Sequence, residues 1–281
     1  MTGNSWTILS PIELSIKTKI ESVGTPLRDW GLSINRGILT GFNEAFIIST
    51  KKKDELIAED PKSAEIIRPI LRGRDIKRYY YNFSDLWVIN THNGLKNQNV
   101  PPIDVNDYPA IKRHLDCYYD KLAKRADKGD SPYNLRNCAY MNDFYEQKIV
   151  WGNLCLSSQF TLAEEGFFIN APSPMIVPGN KYVLAILNSK LGDWFIRQLG
   201  VTRNGGYFEY KPMFVQELPI PLISEAEQEP FCTLVDNILM LKKNNESTEE
   251  LEQQIDDMVY SLYALTDEER AYIEVQKGSV S

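Results

Sequence analysis

At Pro219-Ile220-Pro221 the chain changes character, and that break does most to limit what it can fold into. Before it, short β-branched and aromatic runs alternate with glycine and proline punctuation, the pattern of a mixed α/β body. After it come three helix-start signatures, Ser224…Glu227, Ser247…Glu250 and Thr266…Glu269, each a polar cap followed by an acid three residues on. The middle one leads into Leu251, Ile255, Met258, Val259 and Leu262, an apolar stripe with acids opposite. Charge follows the same break. Residues 1–216 hold 27 Lys/Arg against 23 Asp/Glu, and residues 217–281 hold 4 against 15, so an overall −7 hides a mildly basic body and an acidic tail. The expected fold class is α+β: a mixed α/β domain over residues 1–222 and an acidic helical region over 223–281.

Hydrophobic content of 43% supports a real core, and no apolar run approaches the roughly 18–20 residues of a membrane span. The opening Met1-Thr2-Gly3-Asn4-Ser5-Trp6 has neither a basic nor an apolar signal region, so a cytoplasmic location is expected. Cys117, Cys138, Cys155 and Cys232 are scattered, and His92 and His114 have no His or Cys neighbour at ligand spacing. Reduced thiols and no metal site are the expectation.

Along the body, Ser10-Pro11-Ile12-Glu13 opens a helix that Gly24 stops. Residues 45–48 read as a buried strand, Asp60-Pro61 as the start of a short helix ending near Arg68-Pro69, and 86–89 as another strand. A helix from Asp107 is expected to carry Ile111, Leu115, Tyr118 and Leu122 inward, with Lys112, Arg113, Lys121, Lys124 and Arg125 outward. Strands return at 149–151, 160–162 and 167–169, the last two joined by a hairpin-like Glu165-Gly166. One long helix is expected over 182–199, and Gly205-Gly206 precedes a strand at 207–210.

Three patterns invite a chemical reading. Asp130 or Asp143 with Glu146-Gln147-Lys148 loosely matches the acid…acid-x-Lys arrangement of Mg²⁺-dependent nucleases, although Glu146 and Lys148 also simply flank a strand. Asn170-Ala171-Pro172-Ser173 lacks the first proline and the aromatic of an adenine-gripping methyltransferase loop, and reads as a turn between strands. The densest basic cluster is Arg68-Pro-Ile-Leu-Arg72-Gly-Arg74-Asp-Ile-Lys77-Arg78, running into Tyr79-Tyr80-Tyr81. Lysine and arginine neutralise phosphates and arginine forks onto guanine, so Arg72, Arg74, Lys77 and Arg78 are candidate DNA contacts. The alternative is an ion-paired turn among Arg72, Arg74 and Asp75. No catalytic residue and no cofactor site are expected in this chain.

The ordered string of motifs resembles the TaqI-like C-terminal specificity domain, the target recognition domain of type IIG restriction-modification enzymes. The matching stretches are Leu32-Ser-Ile-Asn-Arg-Gly-Ile-Leu-Thr-Gly-Phe-Asn43, Ile66-Ile-Arg-Pro-Ile-Leu-Arg-Gly-Arg-Asp-Ile-Lys-Arg-Tyr79, Tyr108-Pro-Ala-Ile-Lys-Arg-His-Leu115 and Lys148-Ile-Val-Trp151. They continue through Leu184-Ala-Ile-Leu-Asn-Ser189, Gly205-Gly-Tyr-Phe-Glu-Tyr-Lys-Pro212, Leu218-Pro-Ile-Pro221 and Val259-Tyr-Ser-Leu-Tyr-Ala-Leu-Thr266. The resemblance implies sequence-specific recognition of double-stranded DNA, with an adenine methyltransferase and an endonuclease, and their S-adenosylmethionine and Mg²⁺, lying elsewhere in the same enzyme. Two polar loops, 36–43 and 203–211, then become candidate DNA contacts: Asn43 and Asn204 for adenine, Arg36 and Arg203 for guanine, Tyr207 and Lys211 for phosphate, with Thr40 in the first loop beside them. The acidic helices are expected to pack on the domain or on the methyltransferase. An autonomous Mg²⁺ nuclease, or a protein–protein adaptor working through the acidic helices, are the alternatives.

Overall fold

The computed structural model describes residues 9–278, so the 1–6 stretch read above lies outside them. The chain divides into two compact units. A sheet unit takes Ser33–Asn153 and Thr161–Gly179; a helical unit takes Met1–Leu32, Leu154–Phe160 and Asn180–Ser281. The 222/223 line expected from composition is therefore not a border between units.

The sheet unit is built on two four-stranded sheets. One runs in the order Phe160–Ala163, Lys148–Trp151, Pro174–Val177, Ser33–Arg36; the other runs Phe168–Ile169, Ile67–Leu71, Leu86–Ile89, Ile47–Ser49. Arg36 ends its strand opposite Pro174, and Gly37 and Ile38 donate onward to the carbonyls of Ser173 (2.7 Å) and Ile169 (2.6 Å). A Cβ on Gly37 would lie 2.3 Å from the Ile169 carbonyl oxygen, which is why glycine follows Arg36. Phe46, Ile70, Ile89, Leu115, Val150 and Phe168 are among the apolar side chains that close the core, with Phe144 stacked on Phe168 at 4.6 Å.

Several local expectations change here. Ala45 and Phe46 belong to the short helix Asn43–Phe46, and the strand starts only at Ile47. The helix expected after Asp60 is a 3₁₀ segment, Pro61–Glu65, and Arg68-Pro69 lies inside the strand Ile67–Leu71, where β-branched Ile67 and Ile70 pack inward. The expected helix from Asp107 breaks into Pro109–Asp116 and Tyr119–Lys124. Glu165-Gly166 does turn the chain, but its two flanking strands join different sheets rather than pairing with each other.

In the helical unit the expected capping box forms: the Ser10 amide donates to Glu13 Oε2 at 2.7 Å, and Ile16 and Ile20 are buried. Gly24 passes so close to Pro219 that a Cβ would sit 2.5 Å from its carbonyl carbon. The single helix expected over 182–199 is two, Lys181–Asn188 and Lys190–Leu199, because Ser189 is extended between them, its hydroxyl accepting from the Gly192 amide of the second helix while donating to the Ile186 carbonyl of the first. Ser224 and Thr266 cap Glu225–Lys243 and Asp267–Gly278 as expected, whereas Glu249–Leu262 starts behind Thr248, not Ser247. Ile255 and Val259 of the apolar stripe are buried, while Met258 and Leu262 are only half-buried. The last helix locks onto the first: Ser15 and Lys19 both reach Glu269 at 2.7 Å, and the Tyr272 hydroxyl donates to Glu13 at 2.8 Å. The acidic helices thus share a core with the N-terminal helix. No helix among the described residues is long and apolar enough to cross a membrane.

Candidate nucleic-acid interface

The sequence-derived candidates separate by whether their charge already has an internal partner. In the basic cluster, Arg72 does. Its Nε and Nη2 fork onto both carboxylate oxygens of Asp75 at 2.9 and 2.8 Å, and the Arg72 amide and the Ser84 hydroxyl add bonds of 2.8 Å to the same group. Asp75 is buried, and although burial alone would raise its pKa, these bonds hold it below the ordinary aspartate value. Arg74 takes no part in this pair; its guanidinium is exposed and meets no side-chain partner among the described residues. Lys77 likewise has none, and lies in the short ribbon where it pairs with exposed Tyr80. The Arg78 guanidinium lies 5.3 Å from the centre of the Tyr79 ring.

The first polar loop also divides. Thr40 is buried, its hydroxyl bonds Asn43 at 2.5 Å, and its carbonyl accepts from Arg125. Arg125, expected on a solvated helix face, is instead buried over Phe46 at 4.4 Å and also donates to the carbonyls of Pro132 and Asn134. Burial pushes its pKa down to about 10. Thr40 is therefore part of the scaffold, and Asn43 is exposed but committed to Thr40. Arg36 differs: it is exposed at the end of the edge strand Ser33–Arg36, which pairs with Pro174–Val177, and its guanidinium has no hydrogen bond or ion pair among the described residues.

In the second loop, Thr202–Arg203 pairs with Tyr207–Glu209, and Gly205 and Gly206 make the turn with φ of 80° and 76°. Arg203 Nε donates to Glu209 Oε1 at 2.7 Å and Lys211 Nζ sits 3.0 Å from Glu209 Oε2. Lys211 and then Arg203 hold the Glu209 carboxyl below the usual range. Both cations are thus internally neutralised, while Asn204 and Tyr207 stay exposed.

The sheet unit also shows a feature that the sequence reading passed over. Residues 136–140 form a ridge between two clefts. The larger, about 470 Å³, lies between the ridge and Arg36, Leu39, Ala171 and Pro172; the smaller, about 200 Å³, lies toward Gly94, Lys96 and Gln98. Asn137, Cys138 and Ala139 line both. Buried Leu135 and Met141 anchor the ridge at its ends, and Asn93 donates to Asn137 Oδ1 at 2.7 Å. Burial is the main reason the Tyr140 phenol titrates above the ordinary tyrosine value, and the nearby Arg36 and Arg136 oppose that rise. The one signal in the sequence is a polar Arg136-Asn137 step between two buried apolar residues.

The nuclease pattern does not assemble. Lys148 is buried in its strand, its ammonium donates to the Glu164 carbonyl at 3.3 Å, and burial pushes its pKa down to about 8. Asp143 accepts from Asn35 at 2.7 Å, Asp130 from Asn93 at 3.1 Å, and Glu146 is exposed. Among the described residues no three His, Cys, Asp or Glu side chains are placed to hold a metal ion. The Asn170-to-Ser173 stretch is the turn expected, closed by the Ser173 amide on the Asn170 carbonyl at 3.1 Å.

Residues 68–220 match the TaqI-like C-terminal specificity domain. The chain belongs to that family. The match begins within the basic cluster and ends at the strand Pro219–Ile220, so the family's segment runs through both units. Among relatives of the specificity domain, the type II methyltransferase M.MjaIV of Methanocaldococcus jannaschii is 23% identical over 237 residues, covering 80% of this chain and 76% of the relative. The type IIL restriction-modification enzyme MmeI, solved in complex with DNA, superposes over 88% of this chain with a TM-score of 0.68 at 13% identity. The type IIG restriction endonuclease BpuSI superposes over 90% with a TM-score of 0.53 at 16% identity. This specificity domain spans about a third of each of those two enzymes.

Proposed function

We propose that this chain recognises a specific sequence in double-stranded DNA, as the specificity part of a cytoplasmic type II restriction-modification enzyme. The adenine methyltransferase and endonuclease parts lie elsewhere, together with their S-adenosylmethionine and Mg²⁺. One observation carries the reading: within a family of specificity domains, the sheet unit presents exposed cations, Arg36 and Arg74, that no carboxylate among the described residues neutralises. Such groups gain from displacing counterions on a phosphate backbone; a cation already held by a buried carboxylate does not. Lys77 and Arg78 extend the basic surface, and Asn204 and Tyr207 add exposed polar contacts from the hairpin. The acidic C-terminal helices, in a stretch (217–281) with 4 Lys/Arg against 15 Asp/Glu, pack on the domain itself or face the methyltransferase rather than DNA.

The test is duplex binding by the 281-residue chain across a salt series. The expected log–log slope corresponds to about 3–6 phosphate contacts, at roughly 0.9 per contact. Cutting that depends on Mg²⁺ would support the nuclease alternative, and salt-independent or absent binding would remove the DNA reading.

A further inference from the structure

We propose that the ridge at residues 136–140 enters the major groove and that Arg136 is a specificity-determining residue that reads a guanine, while Arg36 and Lys96 grip the backbone on either side. This rests on the DNA reading above and names the element that would carry it out.

Base edges are recessed between two raised phosphate strands, so a reader must protrude and leave room beside itself for those strands. The ridge, with Arg136, Asn137 and Ala139 exposed, has a cleft on each flank. Each cleft carries a cation without an internal partner among the described residues, Arg36 in one and Lys96 in the other. No Asp or Glu lines either cleft, so nothing in their walls repels a phosphate.

The groups on the ridge are donors. Asn137 is exposed and has its oxygen occupied by Asn93, which leaves its amide NH₂ a donor without a partner among the described residues. Arg136 offers a planar fork whose ion pair with Asp127, at 3.1 Å, joins two side chains that are 61% and 37% exposed. An exposed pair of this kind is weak and readily exchanged. In the major groove a two-donor fork matches the N7 and O6 acceptors of guanine. The ridge is also rigid before binding, anchored by Leu135, Met141 and the Asn93 bond, so little ordering opposes recognition.

The experiment selects duplexes from a randomised pool with the full chain at low ionic strength, and repeats it with Arg136→Lys, Arg136→Ala, Arg36→Ala and Lys96→Ala, all at surface positions. For Arg136, both variants should lose a guanine preference at one position, by about 5- to 150-fold, the lysine variant doing so while keeping the salt slope. Arg36→Ala and Lys96→Ala should select the unchanged sequence, weaken binding to all duplexes alike and lower the salt slope by about one unit each. The proposal is overturned if the Arg136 variants select the native sequence, if Arg36→Ala changes it, or if the native chain binds with a steep salt slope but enriches nothing. A native chain that binds no duplex at all would remove the DNA reading itself, which the salt series detects separately.

Discussion

Arg36 and Arg203 look alike in the sequence, each a lone arginine at the edge of a polar, glycine-containing loop. In the structure they have opposite roles. Arg203 is tied at 2.7 Å to Glu209 six residues on, and Lys211 closes the other side of the same carboxylate. Arg36 ends the edge strand Ser33–Arg36 and has no hydrogen bond or ion pair among the described residues. The contrast extends to the units that hold them. Although the helical unit carries net −8, several of its basic side chains are absorbed by buried carboxylates, Asp193, Glu209 and Asp256. In the sheet unit the net charge is only +1, from 19 Lys/Arg against 18 Asp/Glu, yet several cations remain available. Availability, not net charge, separates a binding surface from a structural one.

The sharpest attack on that contrast is in the helical unit. Asp193 accepts from the Ser158 amide at 2.6 Å, the Tyr210 hydroxyl at 2.5 Å and Arg197 at 3.2 Å. Asp193→Ala takes the acceptor from two buried donors and the half-buried Arg197 guanidinium, and should cost roughly 3–5 kcal/mol in urea unfolding. A loss below 1 kcal/mol would show that the carboxylates there are not structural.

The sheet unit has a buried cation of its own, and its pH dependence has a definite sign. Lys148 titrates near 8 in the fold and near its ordinary 10.5 when unfolded, so between those values the unfolded chain binds more protons and stability rises with pH. Lys148→Met should therefore be more stable than the native chain below pH 8, by roughly 3 kcal/mol, and the advantage should shrink toward pH 10.5. Unfolding both proteins over pH 7–10.5 cancels the other titrations, and a constant difference would contradict the assignment.

On the DNA side, Lys77→Ala with Arg78→Ala should weaken binding to every duplex and flatten the salt slope by about one to two units. An unchanged slope would place both side chains away from phosphate. The smallest effect is the most direct comparison. Arg36→Ala should lower the slope by about one unit, whereas Arg203→Ala should leave it unchanged and reduce stability by about 0.2–1 kcal/mol. The reverse ranking would break the contrast between the two loops.

Much of the architecture was legible in the residues because its signals are local. Ser10 with Glu13, Ser224 with Glu227 and Thr266 with Glu269 each mark a helix start within four positions, and all three form. What the residues hid depends on distant partners. Nothing near Arg125 says that it will lie under Thr40, eighty-five positions away, and nothing near residues 165–166 says that the adjoining strands will choose different sheets. Among the candidate contacts, Arg36, Arg74 and Lys77 kept an open charge, while Arg72, Thr40, Arg203 and Lys211 were taken by internal bonds. The 136–140 ridge escaped notice because a cleft is made of segments a hundred residues apart.

The interleaving of the two units has a practical corollary for anyone who wishes to transplant recognition between enzymes. A single crossover at residue 222 would sever Glu225–Lys243 and its successors from Pro11–Val23 and Lys181–Asn188, leaving a half-built helical scaffold on each side. A transferable cassette has seams at Leu32/Ser33 and Gly179/Asn180, and must keep the short excursion Leu154–Phe160 from the recipient. Chimeras cut at those seams exchange the exposed arginines and the 136–140 loop while leaving the acidic helices with the chain that they were matched to.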